Sequence, residues 1–215
     1  MTRAVIFDCD GVLVDSELIS NTVLAGLLTR AGLPTTLEYC LREYRGRSMQ
    51  SVMELAQRRH GAPLPDDDLT ARYYADMTSA FAREGLAVPG VIEALDRITL
   101  PSCVASSGPH HKIEVTLRRS GLWERFEGRI FSATEVARGK PAPDLFLHAA
   151  AAMGFDPAST AVVEDSLPGV QAAHAAGMRV LAFARDTDPR ELAAAGGEPF
   201  EDMAELPELL LAAAR

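Results

Sequence analysis

The stretch RAVIFDCDGVLVDS occupies residues 3–16. Ala4 to Phe7 form a short apolar run, the profile of a strand buried on both faces. The run ends on Asp8 and Asp10, one residue apart, and then on Gly11. Two ionised carboxylates that close repel each other unless one takes a proton or a cation lies between or beside them. Such an ending marks a candidate site, because ligands of an open parallel sheet bind beyond the carboxyl ends of its strands. The same D-x-D spacing recurs at Asp66–Asp68 and Asp186–Asp188, but in polar turn or helix-start contexts that leave the acids solvated.

Working outward, further apolar runs read as strands at Arg3–Phe7, Ser102–Ser106, Arg129–Ser132, Thr160–Val163 and Arg179–Phe183. Helix-like segments such as Asp144–Met153 and Gly169–Ala176, the latter closed by Gly177, separate the later ones. This alternation implies an α/β fold, a Rossmann-like parallel sheet with helices on both faces. The first interval breaks the rhythm. About ninety residues between Asp10 and Ser102 carry helical periodicity and no convincing strand. One helix is expected from a capping Asp15 or Ser16 to Gly32, another from Ser48 to Gly61, and a third over residues 66–85 with acids in its first turn. The expected organisation is a core of residues 1–15 and 87–215 with a helical domain, residues 16–86, inserted after the first strand. Pro89–Gly90 marks the return to the core.

Size and charge exclude several classes. The chain has 215 residues, room for a large core, and no run near the ~18 apolar residues that suggest a membrane span. A net charge of −9 argues against sequence-independent nucleic-acid binding, which needs a basic footprint. It leaves room for an anionic substrate, since a local cation can reverse the potential inside a cleft. Cys9, Cys40 and Cys103 have neither metal spacing nor the even count of a disulfide framework, and the N-terminus lacks the pattern of a signal peptide. A reducing cytoplasm is the expected compartment, and a monomer or weak homodimer the expected state.

The other strand ends supply the rest of a site. After the second run, Ser106 or Ser107 offers a hydroxyl, and backbone amides around Gly108 can form an anion nest. Lys140 follows the third strand, with Pro141 and Pro143 restricting its backbone. Glu164 and Asp165 end the fourth run, a second acidic pair that is costly to bury. One hard cation such as Mg²⁺, shared with Asp8 and Asp10, would account for both pairs, with no His or Cys needed. Together these groups suit phosphoryl transfer. One aspartate would attack phosphorus, and the other would protonate the leaving oxygen and then deprotonate water. Arg45 and Arg47, at an expected loop of the helical insertion, are candidates to meet a substrate carboxylate or hydroxyls. His110 and His111 read as the first turn of a surface helix.

The motifs DCDGVLVDS, ASSG, KPAPD and VVEDS, in this order, resemble those of the haloacid dehalogenase superfamily over essentially the whole chain. The resemblance implies that fold and a four-helix cap at the insertion. It implies Asp8 as nucleophile, Asp10 as general acid/base, Ser106 binding the transferring phosphoryl group and Lys140 stabilising the aspartyl-phosphate. It also implies Mg²⁺ held by the Asp8 side chain, the Asp10 backbone carbonyl and Asp165, with Glu164 nearby. The subgroup resembled is that of β-phosphoglucomutases and sugar-phosphate phosphatases, with wording more similar to phosphatases of sugar phosphates such as 6-phosphogluconate. Mutases of that subgroup carry an arginine where this chain has Met49 and a histidine where it has Ser20. The expected activity is therefore hydrolysis of a small phosphorylated metabolite, with a phosphosugar mutase as the alternative. A receiver-type phosphoacceptor is disfavoured by the chain's length and its insertion.

Overall fold

The computed structural model describes residues 1–61, 68–81 and 87–212. Six parallel strands form one sheet: β1 (Ala4–Phe7), β2 (Ser102–Ser106), β3 (Ile130–Ser132), β4 (Thr160–Glu164), β5 (Arg179–Phe183) and β6 (Glu198–Phe200), in the order β3-β2-β1-β4-β5-β6. Phe7 lies opposite Val104 on one side and Val163 on the other, so β1 is central. Alternation along the pleat sends Val5 and Phe7 into one apolar cluster and Ile6 into the other. Both faces are covered, which is why the strands read as unbroken apolar runs.

The helices are α1 (Glu17–Arg30), α2 (Leu37–Glu43), α3 (Met49–His60), α4 (Leu69–Phe81), α5 (Val91–Arg97), α6 (His110–Ser120), α7 (Trp123–Phe126), α8 (Asp144–Met153), α9 (Leu167–Ala175), α10 (Pro189–Ala194) and α11 (Leu206–Leu211). The first four lie between β1 and α5, where the periodicity places an insertion. Among the described residues the chain leaves and re-enters side by side: Val14 forms an antiparallel bridge with Ala87, and the Val88 amide donates to the Leu13 carbonyl at 3.1 Å.

Several local expectations change. α2 and β6, being short, carry no strong periodicity in the sequence. α9 begins at Leu167, two residues before the expected Gly169, because the Ser166 hydroxyl caps it by accepting from the Gly169 amide. Ser48 caps α3 and Gly61 closes it in the left-handed region, as the sequence suggests. Ser16 stands at the start of α1, but its hydroxyl donates to Asp10 and does not cap the helix. Asp66 and Gly85, part of the reading of the third helix, lie outside the described residues, as does the 86 boundary.

Candidate active site

The strand order reverses direction between β1 and β4, a topological switch point where loops diverge and leave a crevice. β1 delivers Asp8 and Asp10 there, and β4 delivers Glu164 and Asp165. β2 brings Ser106 to the same end, and the segment before α8 brings Lys140.

Asp8 is buried, and Lys140, also buried, donates from Nζ to Asp8 Oδ1 at 2.6 Å and to Glu164 Oε1 at 2.6 Å. Glu164 Oε2 accepts the Asp165 and Ser166 amides and the Ser166 hydroxyl at 2.8 to 2.9 Å. One oxygen each from Asp8, Glu164 and Asp165 lie within 4.8 Å of one another. Burial holds the Asp8 carboxyl well above its usual range. Lys140 pulls it down, and the charges of Glu164, Asp165 and Asp10 push it further up. Burial also works against the Lys140 charge, but Asp8 and Glu164 outweigh it and hold the ammonium above its ordinary range. Lys140 serves Asp8 and Glu164 and Arg45 meets Asp165, so the three clustered acids face two cations of the chain. All-oxygen donors of this kind suit a hard divalent cation.

Asp10 does not join that cluster by its side chain. Its carboxylate accepts from the Ser16 hydroxyl and from Lys112 Nζ. Asp8 of the first acidic pair does meet Glu164 and Asp165 of the second, as a cation shared between the pairs needs, while the Asp10 carboxylate is held by Lys112 instead. Burial opposes the charge on Lys112, while Asp10 chiefly, with Tyr73 and Cys9, raises its ammonium above the ordinary range. Lys112 was missed in the sequence because it lies just past the ASSG motif, inside what reads as the first turn of a surface helix. Its position, one helical turn after Gly108, is the signal that was available.

The loop between α2 and α3 reaches down onto the core. Arg45 Nη2 is 2.5 Å from Asp165 Oδ2 and 3.5 Å from Asp186 Oδ2. This places Arg45 on an acid of the cluster, whereas the sequence suggested a contact with substrate. Arg47 donates from Nε to the Glu43 carbonyl at 3.0 Å. The Ser107 hydroxyl donates to the Gly46 carbonyl at 3.0 Å. The Gly108 amide, expected in an anion nest, donates to Ser106 Oγ at 3.1 Å within its own turn. Two glycines are required here. Gly11 has φ +82°, and a Cβ on it would lie 2.2 Å from Asp165 Oδ2. Gly46 has φ +72°, and its Cβ would lie 2.2 Å from Ser166 Oγ.

A cavity of about 70 Å³ lies between this loop and the strand ends. Asp8, Asp10, Arg45, Arg47, Ser107, Gly108 and Lys112 line it, with Ser20, Met49, Tyr73 and Tyr74 from the helices above. Ser106, Lys140, Glu164 and Asp165 are buried beside it. His110 pairs with Glu135, and His111 meets the edge of the Tyr74 ring.

A buried carboxylate held by a buried lysine at the switch point of a doubly wound sheet, under a roof of helices, is the arrangement of an α/β enzyme. The chain belongs to the haloacid dehalogenase-like hydrolase family, whose model matches residues 2–177. It is 31% identical over 207 residues to 6-phosphogluconate phosphatase of Escherichia coli K12, covering 96% of this chain and 94% of that one. It is 30% identical over 194 residues to hexitol phosphatase B of the same strain, covering 87% of each. A crystal structure of a conserved haloacid dehalogenase-like protein of unknown function from Agrobacterium tumefaciens superposes with a TM-score of 0.81 at 34% identity, covering 98% of both chains. The enzyme is a phosphoric monoester hydrolase of this family. Among its described residues no helix is long and apolar enough to cross a membrane.

Proposed function

We propose that this enzyme hydrolyses the phosphate ester of a small sugar or sugar acid through an aspartyl-phosphate on Asp8. The observation that carries the reading is the buried Asp8 carboxylate, fixed through one oxygen by Lys140 and facing the cavity. Oδ2 of Asp8 would attack phosphorus as the bond to the leaving oxygen breaks, and Asp10 would give that oxygen a proton. Asp10 would then take a proton from water as it attacks the aspartyl-phosphate, releasing inorganic phosphate and restoring Asp8. Lys140 and the Ser106 hydroxyl would bind phosphoryl oxygens. Asp8, Glu164 and Asp165 fit a Mg²⁺ ion by donor type and spacing. Bound there, it would offset the negative charge of the phosphoryl group.

Residues 16–86 would act as a cap that closes the cavity and selects the leaving group, with Arg47 meeting its hydroxyls or carboxylate. The names of the two Escherichia coli relatives support a sugar or polyol phosphate. Met49 and Ser20 both line the cavity. They stand where a phosphosugar mutase of the resembled subgroup carries an arginine and a histidine, so no cation stands at those two positions to hold a second phosphate, and Arg47 is the cap cation left to compensate. This favours hydrolysis over a mutase reaction. The test is phosphate release over a panel of sugar, sugar-acid and polyol phosphates with Mg²⁺, with phosphorus NMR on β-glucose 1-phosphate and a trace of the bisphosphate. Hydrolysis gives inorganic phosphate in step with free sugar. Glucose 6-phosphate accumulating without matching inorganic phosphate would overturn the reading.

A further inference from the structure

We infer that Arg45 couples metal binding to the docking of the helical segment: its guanidinium and a divalent cation compete for Asp165. Three observations support it. Arg45 Nη2 lies 2.5 Å from Asp165 Oδ2, and the two side chains are only 9% and 2% exposed. Asp165 is at the same time a member of the one cluster, among the described residues, spaced to hold a metal ion. Arg45 belongs to the loop that closes the cavity, and that loop has other contacts with the core, at Ser107 and beside Ser166.

The charge balance gives the direction. Asp8, Asp10, Glu164 and Asp165 face Lys140, Lys112 and Arg45, four acids against three cations, while the exposed Asp186, also beside Arg45, is offset by Arg185. With Arg45 in place, the acids offer little net attraction to a further cation. With Arg45 withdrawn, they offer more. A divalent ion at Asp165 in turn repels a guanidinium that shares its carboxylate, at short range and away from bulk water, where charge interactions are strong. Metal binding therefore favours an undocked loop, and an undocked loop favours metal binding. The two effects are equal by linkage. The loop's own Arg45, Gly46 and Arg47 line the cavity beside Asp8 and Asp10, so lifting the loop widens the way in, which gives the coupling a purpose. The phosphate dianion of a substrate then restores the negative balance, and Arg45 can return to close the site.

This inference goes beyond the phosphatase reading and is tested without substrate. Mn²⁺ affinity of the full chain is measured by electron paramagnetic resonance and calorimetry for wild type, Arg45→Met and Arg45→Gln. Folding of the variants is checked by circular dichroism. Removing the charge is expected to tighten Mn²⁺ binding by about fivefold or more. In parallel, small-angle scattering of the wild type is recorded in chelator and in saturating Mg²⁺, which does not depend on either variant folding. A larger radius of gyration with Mg²⁺ is expected. Unchanged or weaker Mn²⁺ binding in the variants would show Arg45 to be a support that orients Asp165, and would overturn the inference. An equal or smaller radius of gyration with Mg²⁺ would overturn it independently.

Discussion

Lys140 donates to Asp8 Oδ1 across 2.6 Å, with the lysine 1% and the aspartate 7% exposed at their side chains. The contact joins two residues 132 positions apart. It holds Oδ1 of Asp8, so that in the proposed reaction Oδ2 is the attacking oxygen. Asp8→Asn keeps the shape, removes the proposed nucleophile and weakens a proposed metal ligand. Phosphate release is expected to fall by about 10³-fold or more, with the circular dichroism spectrum unchanged. More than a few percent of wild-type turnover in a clean preparation would remove Asp8 from that role.

Lys140→Met leaves Asp8 and Glu164 buried without their shared cation. Breaking a buried pair by deleting one partner costs about 3–5 kcal/mol, and here two acids are orphaned. The variant is expected to lose stability on that scale in urea unfolding, as well as activity. A midpoint within error of wild type would mean that the acids take protons at little cost.

Lys112→Met tests a residue absent from the sequence motifs. Its ammonium and the Ser16 hydroxyl are the two donors that hold the Asp10 carboxylate. Released, Asp10 loses its aim at the leaving oxygen, and kcat is expected to fall by about 10–100-fold with the protein still folded. Lys112→Arg should recover part of the loss. An unchanged kcat would place Lys112 outside the reaction.

Chelation is expected to abolish turnover and Mg²⁺ to restore it. Asp165→Ala should raise the Mg²⁺ concentration needed for half-maximal rate, since it removes one of three clustered carboxylates. Full rate in excess chelator would contradict the proposed cofactor.

The three thiols give a pH prediction unrelated to the reaction. Burial pushes Cys40 up to about 11 and Cys103 up to about 12, and holds Cys9 well above its usual value. Each raised group favours the folded state fully below the unfolded thiol's value near 9 and loses that contribution as pH rises toward its folded value. Stability should therefore fall between pH 9 and 11. At pH 8 the native protein should resist thiol reagents that label it rapidly in denaturant.

The sequence by itself determined the sheet and the chemistry placed on it. Strands buried on both faces must be apolar along their length, so β1, β2, β4 and β5 showed as runs, and the polar residues at their ends stood out against them. Serine and glycine marked the ends of α3, and Gly177 the end of α9, because backbone groups there need partners that few residue types supply, whereas the Ser166 cap of α9 went unread. Short elements such as α2 and β6 offered too few positions for a period to register. Only the tertiary structure decided how the charges pair. Asp8 with Lys140, Asp10 with Lys112 and Asp165 with Arg45 are contacts across more than 100 positions each. The sequence offered several cations to each acid. Which of them meet depends on the strand order that brings β1 beside β4, and on the loop at Gly46 that lowers Arg45 onto the core. No local preference of the chain encodes either, because both follow from how distant segments pack.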